Sequence, residues 1–119
     1  MSYVDGYVQA VPTANREAYA EMARIAAPLF CDHGALSVVE CWGDDVPDGV
    51  HTSFPMAVKK EPHETVVFSW IIWPDKATRD AAYPAMEADP RYAPVVEQGR
   101  ALTDGKRMIF GGFTPIVQI

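Results

Sequence analysis

Glu40, Cys41 and Trp42 place a carboxylate, a thiol and an indole at three successive positions of an apolar run, Val38-Val39-Glu40-Cys41-Trp42, which then breaks into Gly43-Asp44-Asp45-Val46-Pro47-Asp48-Gly49. A carboxylate within a strand is costly to bury unless it is paired. Glu40 is therefore either a general base or ligand-binding carboxylate, or one half of a buried ion pair or hydrogen bond inside the sheet or at a dimer seam. Arg107 and Asp5, both expected on strands, are the natural members of such a network. Structural ion pairs perturb carboxylates as readily as active sites do, and this weights the reading toward the pair. Trp42 lies one strand period from Glu40 and shares its face.

The remaining reactive groups fit weaker patterns. Asp44, Asp45, Asp48 and His51 offer hard oxygen ligands and an imidazole. A calcium loop, however, needs acids or amides at alternate positions, one of which is Val46, and Pro55 stands where its distal glutamate belongs. A solvated turn whose aspartates bond their own backbone fits better, so no metal is expected. Cys41 has no helix N-terminus or cationic sequence neighbour to activate it and reads as a small buried thiol. Ser69 lacks a Gly-x-Ser-x-Gly elbow, and Lys106-Arg107 with Gly111-Gly112 lacks the strand-loop-helix order of a phosphate loop. His33 and His63 stand apart from other ligands. No motif asks for a cofactor. Tyr3, Tyr7, Trp42, Trp70 and Trp73 could line a pocket for an aromatic ligand, or serve simply as core and interface.

With 119 residues, the chain is expected to form a single domain over residues 1–119. Its 49% hydrophobic and 22% charged residues are those of a globular protein, and its net charge of −6 with scattered Lys and Arg argues against nucleic acid or an anionic membrane as partner. Cys31 and Cys41, ten positions apart, make neither a disulfide framework nor a zinc site. The N-terminal residues lack a basic region followed by an apolar run, so a cytoplasmic protein with reduced thiols is expected.

The elements that must carry these groups follow from periodicity. Residues 3–11 alternate, with Val4, Gly6, Val8 and Ala10 on one side and Tyr3, Asp5, Tyr7 and Gln9 on the other. A helix capped at Thr13 or Asn15 runs to Asp32, with Ala18, Met22, Ile25 and Leu29 at helical spacing, a kink expected at Pro28, and Gly34 as its stop. Residues 36–42 form a second strand, residues 54–60 a weaker one, and residues 65–73 the strongest, apolar on both faces. Asp75 caps a second helix that Pro84 should disrupt. Asp89-Pro90 opens a short third helix, and residues 99–105 form a loop. A last strand over 106–117 carries Gly111-Gly112, a sign of a bulge or a close backbone approach.

With the weak strand as a hairpin addition, this is the β-α-β-β-α-β order of an α+β, ferredoxin-like protomer with helices on one face of an antiparallel sheet. If Val67, Ser69, Ile71 and Trp73 face the helices, then Val66, Phe68, Trp70 and Ile72 face away, and the reverse choice leaves an equally apolar outer face. Soluble monomers rarely tolerate such a patch. A homodimer paired sheet to sheet is expected.

Tyr3-Val4-Asp5-Gly6, Val39-Glu40-Cys41-Trp42 with Asp45-Val46-Pro47-Asp48-Gly49, Val66-Val67-Phe68-Ser69-Trp70, and Gly105-Lys106-Arg107-Met108-Ile109 with Gly111-Gly112-Phe113 together resemble the YbaA-like bacterial family of unknown function. The resemblance spans essentially the whole chain. It implies a ferredoxin-like protomer forming a dimeric α/β barrel, and it carries over no activity and no catalytic residues. The wider superfamily includes cofactor-independent monooxygenases, muconolactone isomerase-like enzymes, dye-decolourising peroxidases and small stress-responsive proteins, whose ligands usually lie between sheet and helices. Two readings follow. One is a dimer that binds or transforms a small apolar or aromatic molecule through Tyr7, Glu40, Trp42, Trp70 and Arg107. The other is a non-catalytic structural or stress-related dimer in which the same polar groups serve assembly. The direction in which Glu40 and Trp42 point separates them.

Overall fold

A computed structural model describes residues 2–119. Four strands, β1 (Tyr3–Pro12), β2 (Ser37–Trp42), β3 (Glu64–Trp73) and β4 (Ile109–Phe113), form one antiparallel sheet in the order β2-β3-β1-β4. The helices are α1 (Arg16–Asp32), α2 (Phe54–Ala57), α3 (Lys76–Glu87) and α4 (Tyr92–Leu102). This is the expected ferredoxin-like α+β fold. Tyr3, Leu29, Ile71, Trp73, Ala82 and Met86 form the main core between sheet and helices. Of the two possible assignments, Val67, Ser69, Ile71 and Trp73 face the helices.

Most helix ends follow from local chemistry. Helix α1 stops in a Schellman arrangement: Gly34 takes φ +112°, its N–H donates to Cys31 O and the Ala35 N–H donates to Phe30 O. Asp75 caps α3 by accepting from Thr78 N at 2.7 Å. Thr13 and Asn15 do not cap α1 as expected. Residues Thr13–Asn15 form a 3-10 turn, and the Asn15 amide reaches across to Leu102 O at the end of α4.

Three expectations are corrected. Residues 54–60 are not a strand: Ser53 accepts from Met56 N, Pro55 sits in the first turn of α2, and a proline cannot donate to a ladder. Pro84 does not end α3, because Ala82 and Met86 on either side of it are held in the core. Gly99 lies within α4 rather than at the start of a loop. The last strand is also shorter than its pattern. Lys106 and Arg107 sit in a 3-10 turn, Gly105–Arg107, ahead of β4.

The glycine pair in β4 marks close approach, not a bulge. Gly112 pairs with Asp5 in a regular ladder, and a Cβ there would lie 2.2 Å from the Tyr3 hydroxyl. On the outer face, Val58, just beyond α2, seals Val8, Ala10 and Val66 into a second cluster. The rest of that face stays open: Val4, Gly6, Phe68, Trp70, Ile72 and Phe113 line an apolar depression, and Phe113 is 61% exposed.

Candidate functional site

Strand register brings four side chains into one row across the helix-facing side of the sheet. Phe110 pairs with Tyr7, Tyr7 with Ser69, and Ser69 with Glu40, one residue from each strand. Because side chains alternate along a strand, all four point toward the helices. Above the row lies a cavity of about 300 Å3. The sheet supplies Tyr7, Gln9, Val38, Glu40, Ser69 and Ile71; α1 supplies Tyr19, Met22, Ala26, Leu29 and Phe30; α3 adds Tyr83; and α4 adds Tyr92, Val95 and Val96. Its wall is stiffened by aromatic contacts, including an edge-on Phe30–Tyr83 pair at 6.4 Å.

Two hydrogen-bonded chains organise the polar groups. In the first, Gln9 Nε2 donates to the Tyr19 hydroxyl at 3.0 Å, Tyr19 donates to Glu40 Oε2 at 2.8 Å, and the Ser69 hydroxyl donates to the same oxygen. Among the described residues nothing donates to Glu40 Oε1. In the second, Tyr83 donates to Asp5 Oδ2 at 3.1 Å, which leaves Tyr7 as the donor of the 2.7 Å Tyr7–Tyr83 bond. Asp5 is buried and also receives Trp73 Nε1 at 2.9 Å and the Arg79 guanidinium at 2.8 Å.

These surroundings keep the phenols neutral. Burial pushes the Tyr19 hydroxyl well above the usual phenol range, and the Glu40 charge and hydrogen bond push it further. Tyr83 is raised in the same way, by burial first and then by Tyr7 and Asp5. Burial also raises Tyr7, partly offset by its bond to Tyr83. Tyr19 and Ser69 thus both serve as neutral hydroxyl donors to Glu40.

The residues singled out from sequence divide. Glu40 and Tyr7 line the cavity together. Trp42 shares Glu40's face but lies beyond the cavity, packed on the Val11, Tyr19 and Val67 cluster with the Arg16 guanidinium 5.8 Å from its ring. Trp70 borders the cavity, yet its ring belongs to the outer face, 5.6 Å from that of Phe68, because its strand parity is opposite to that of Ser69. Arg107 is neither a cavity residue nor a partner of Glu40. It grips Glu64 through two 2.7 Å hydrogen bonds and also donates to Asp104 and Lys59 O, pinning the turn before β4 to the start of β3. Asp5 likewise serves Arg79, not Glu40.

Gln9, Tyr19, Tyr83 and Tyr92 complete the site, and the sequence reading did not assign them to it. Gln9 and Tyr19 carried a signal, as polar groups on the buried side of an alternating strand and on an otherwise apolar helix stripe. Cys41, on the opposite side of β2 from Glu40, borders a surface groove with Gly43, Asp44, Asp45 and Phe54. Among the described residues, no three His, Cys, Asp or Glu side chains converge as metal ligands, and no helix is long and apolar enough to cross a membrane.

Residues 2–102 match the family described as Protein of unknown function (DUF1428). The chain is 57% identical over 118 residues to the uncharacterized protein YbaA of Escherichia coli (strain K12), covering 98% of each chain. Among solved structures, it is similar to the cofactor-independent oxygenase SnoaB of Streptomyces nogalater, at a TM-score of 0.61 and 18% identity, covering 99% of this chain and 96% of that one. It is also similar to a dimeric ferredoxin-like protein from an uncultured marine organism, at a TM-score of 0.65 and 11% identity, covering 99% and 98%. At such identities the structural likenesses speak for the fold alone.

Proposed function

The chain belongs to the family of unknown function DUF1428, and we propose that it binds or transforms a small, mainly apolar or aromatic molecule between the sheet and α1, α3 and α4, working as a homodimer in the cytoplasm. The observation that carries the reading is the orientation of Glu40. Its Oε2 accepts from Tyr19 and Ser69, its Oε1 has no protein donor among the described residues, and Glu40, exposed rather than buried as its strand position suggested, lines a cavity walled mainly by apolar side chains. A carboxylate held this way is placed to accept a ligand proton or hydrogen bond, which a purely structural ion pair would not require.

Other features agree. A volume of about 300 Å3 matches the lower end of small-molecule sites, where a few polar groups orient a ligand inside an apolar wall. One protein of this fold is a cofactor-independent oxygenase, so the architecture accommodates small-molecule chemistry. Another is described as dimeric, and the open outer face here suits the same pairing. Cys31 and Cys41 are both free thiols, in keeping with a reducing compartment. The alternative, a dimer without a ligand whose polar groups serve assembly, would place Glu40 at the interface against Arg107. Within the chain, Arg107 is engaged by Glu64 and Glu40 by Tyr19 and Ser69, which favours the ligand reading.

Isothermal titration with naphthylmethanol, a neutral bicyclic probe, tests the reading. Wild type should bind it, and Ala26→Trp, which fills the cavity from α1, should weaken binding by about tenfold or more while keeping the native circular dichroism spectrum. Absence of binding to wild type, or equal binding to both proteins, would rule out the cavity as a ligand site.

A further inference from the structure

We infer that the cavity selects small organic cations, specifically amines with an apolar aromatic body, and rejects anions. The inference rests on the proposed ligand-binding role of the cavity and adds the charge of its occupant. Glu40 is the only charged side chain among the described residues that line the cavity; no Lys, Arg or His joins it. Three arginines outside the lining have partners of their own: Arg79 pairs with Asp5, Arg107 with Glu64, and Arg16 lies over the Trp42 ring.

The hydrogen-bond directions reinforce the charge argument. The hydroxyl protons of Tyr19 and Ser69 both go to Glu40, that of Tyr83 goes to Asp5, and that of Tyr7 goes to Tyr83. With their protons so engaged, these groups offer a ligand lone pairs, chiefly those of Glu40 Oε1 and the Tyr7 oxygen, while Gln9 and Tyr92, which also line the cavity, can still donate. An ammonium brings three donors and no acceptor, and so complements this surface. A carboxylate or phosphate would meet the negative charge of Glu40, with no cationic side chain among the described lining residues to offset it. The rings of Tyr7, Tyr19, Phe30 and Tyr83 add the π faces that attract cations.

Three probes of one shape separate the outcomes: naphthylmethylamine, cationic at neutral pH; naphthylmethanol, neutral; and naphthoate, anionic. Wild type should bind the amine about tenfold more tightly than the alcohol, a factor within the range of a cation–π contact joined to an ion pair, and should bind naphthoate more weakly than either. Glu40→Gln keeps an oxygen that can accept from Tyr19 and Ser69, so the fold should hold, with an unchanged unfolding midpoint as the check. In this variant the amine and alcohol affinities should converge to within about threefold. If the alcohol binds and the amine binds no better, or if the amine preference survives Glu40→Gln, the charge inference is overturned while the ligand site stands. If neither compound binds, both fall.

Discussion

Glu64 and Arg107 show what a single pair contributes at the first residue of β3. The Glu64 side chain is 2% exposed, and two guanidinium hydrogen bonds of 2.7 Å satisfy both its oxygens. The hydrogen bonds from Arg107 hold its carboxyl down to about 2, against an ordinary 4.5. The folded state therefore binds fewer protons than the unfolded chain between those values, and stability rises with pH across that window. The contribution is fully present above the unfolded value of 4.5 and is lost as pH falls toward 2. Glu64→Gln should lower the unfolding free energy at neutral pH by about 2 kcal/mol. In urea titrations the gap between variant and wild type should then narrow steadily as the solution is acidified through the same window. A gap that stays constant down to the acid limit would show that Arg107 does not hold this carboxylate. Glu40, by contrast, announces itself in the sequence as an acid inside a strand, but its partners do not. Tyr19 and Ser69 reach it through helix packing and cross-strand register, and neither is encoded near Glu40 in the chain. Pairing by charge alone pointed to Arg107, which lies in a turn beside a different carboxylate.

At the scale of elements, local periodicity was enough for β1, β2, β3 and α1, whose apolar positions recur at the spacing their geometry demands. It failed where a few residues outweigh the pattern. Ser53 and Pro55 start a helical turn inside an apolar stretch, and core packing on both sides of Pro84 carries α3 through a residue that usually ends helices. Strand β4 depends on a contact that hydropathy does not reveal. The Tyr3 ring crosses Gly112 and is itself covered by the Arg79 guanidinium at 5.3 Å. A methyl group at position 112 would displace a ring that is already part of the main core. Gly112→Ala should accordingly cost about 1–3 kcal/mol in chemical denaturation, the usual penalty of overpacking. Gly105→Ala, where an added Cβ meets nothing within 4 Å, serves as the control and should be nearly neutral. Equal effects at the two sites would show that β4 does not rely on this close approach.

On the scale of the whole molecule, the two sides of the sheet meet different fates. The helix side bears the cavity, whereas on the outer side Val58 packs with Val8, Ala10 and Val66 and an apolar depression stays open, with Phe68 at 42% and Phe113 at 61% exposure. An apolar patch of that kind is characteristic of an assembly surface. Light scattering at micromolar concentration should give twice the mass of one chain, and Phe68→Asp, which sets a charge at the centre of the depression, should shift the population to monomer. A monomeric wild type would remove the dimer from the proposal and leave the cavity reading untouched. The period-two alternation of β1 and β3 has a wider meaning. Tyr7 and Gln9 face the cavity, while Gly6 and Val8 face outward, so neighbouring letters of one strand answer to separate selective demands. On the proposed reading, a lineage can rewrite Tyr7 and Gln9 to suit a new ligand while Val4 and Gly6, on the opposite side of β1, preserve how copies meet. Evolution can then change what such a scaffold handles without first taking it apart.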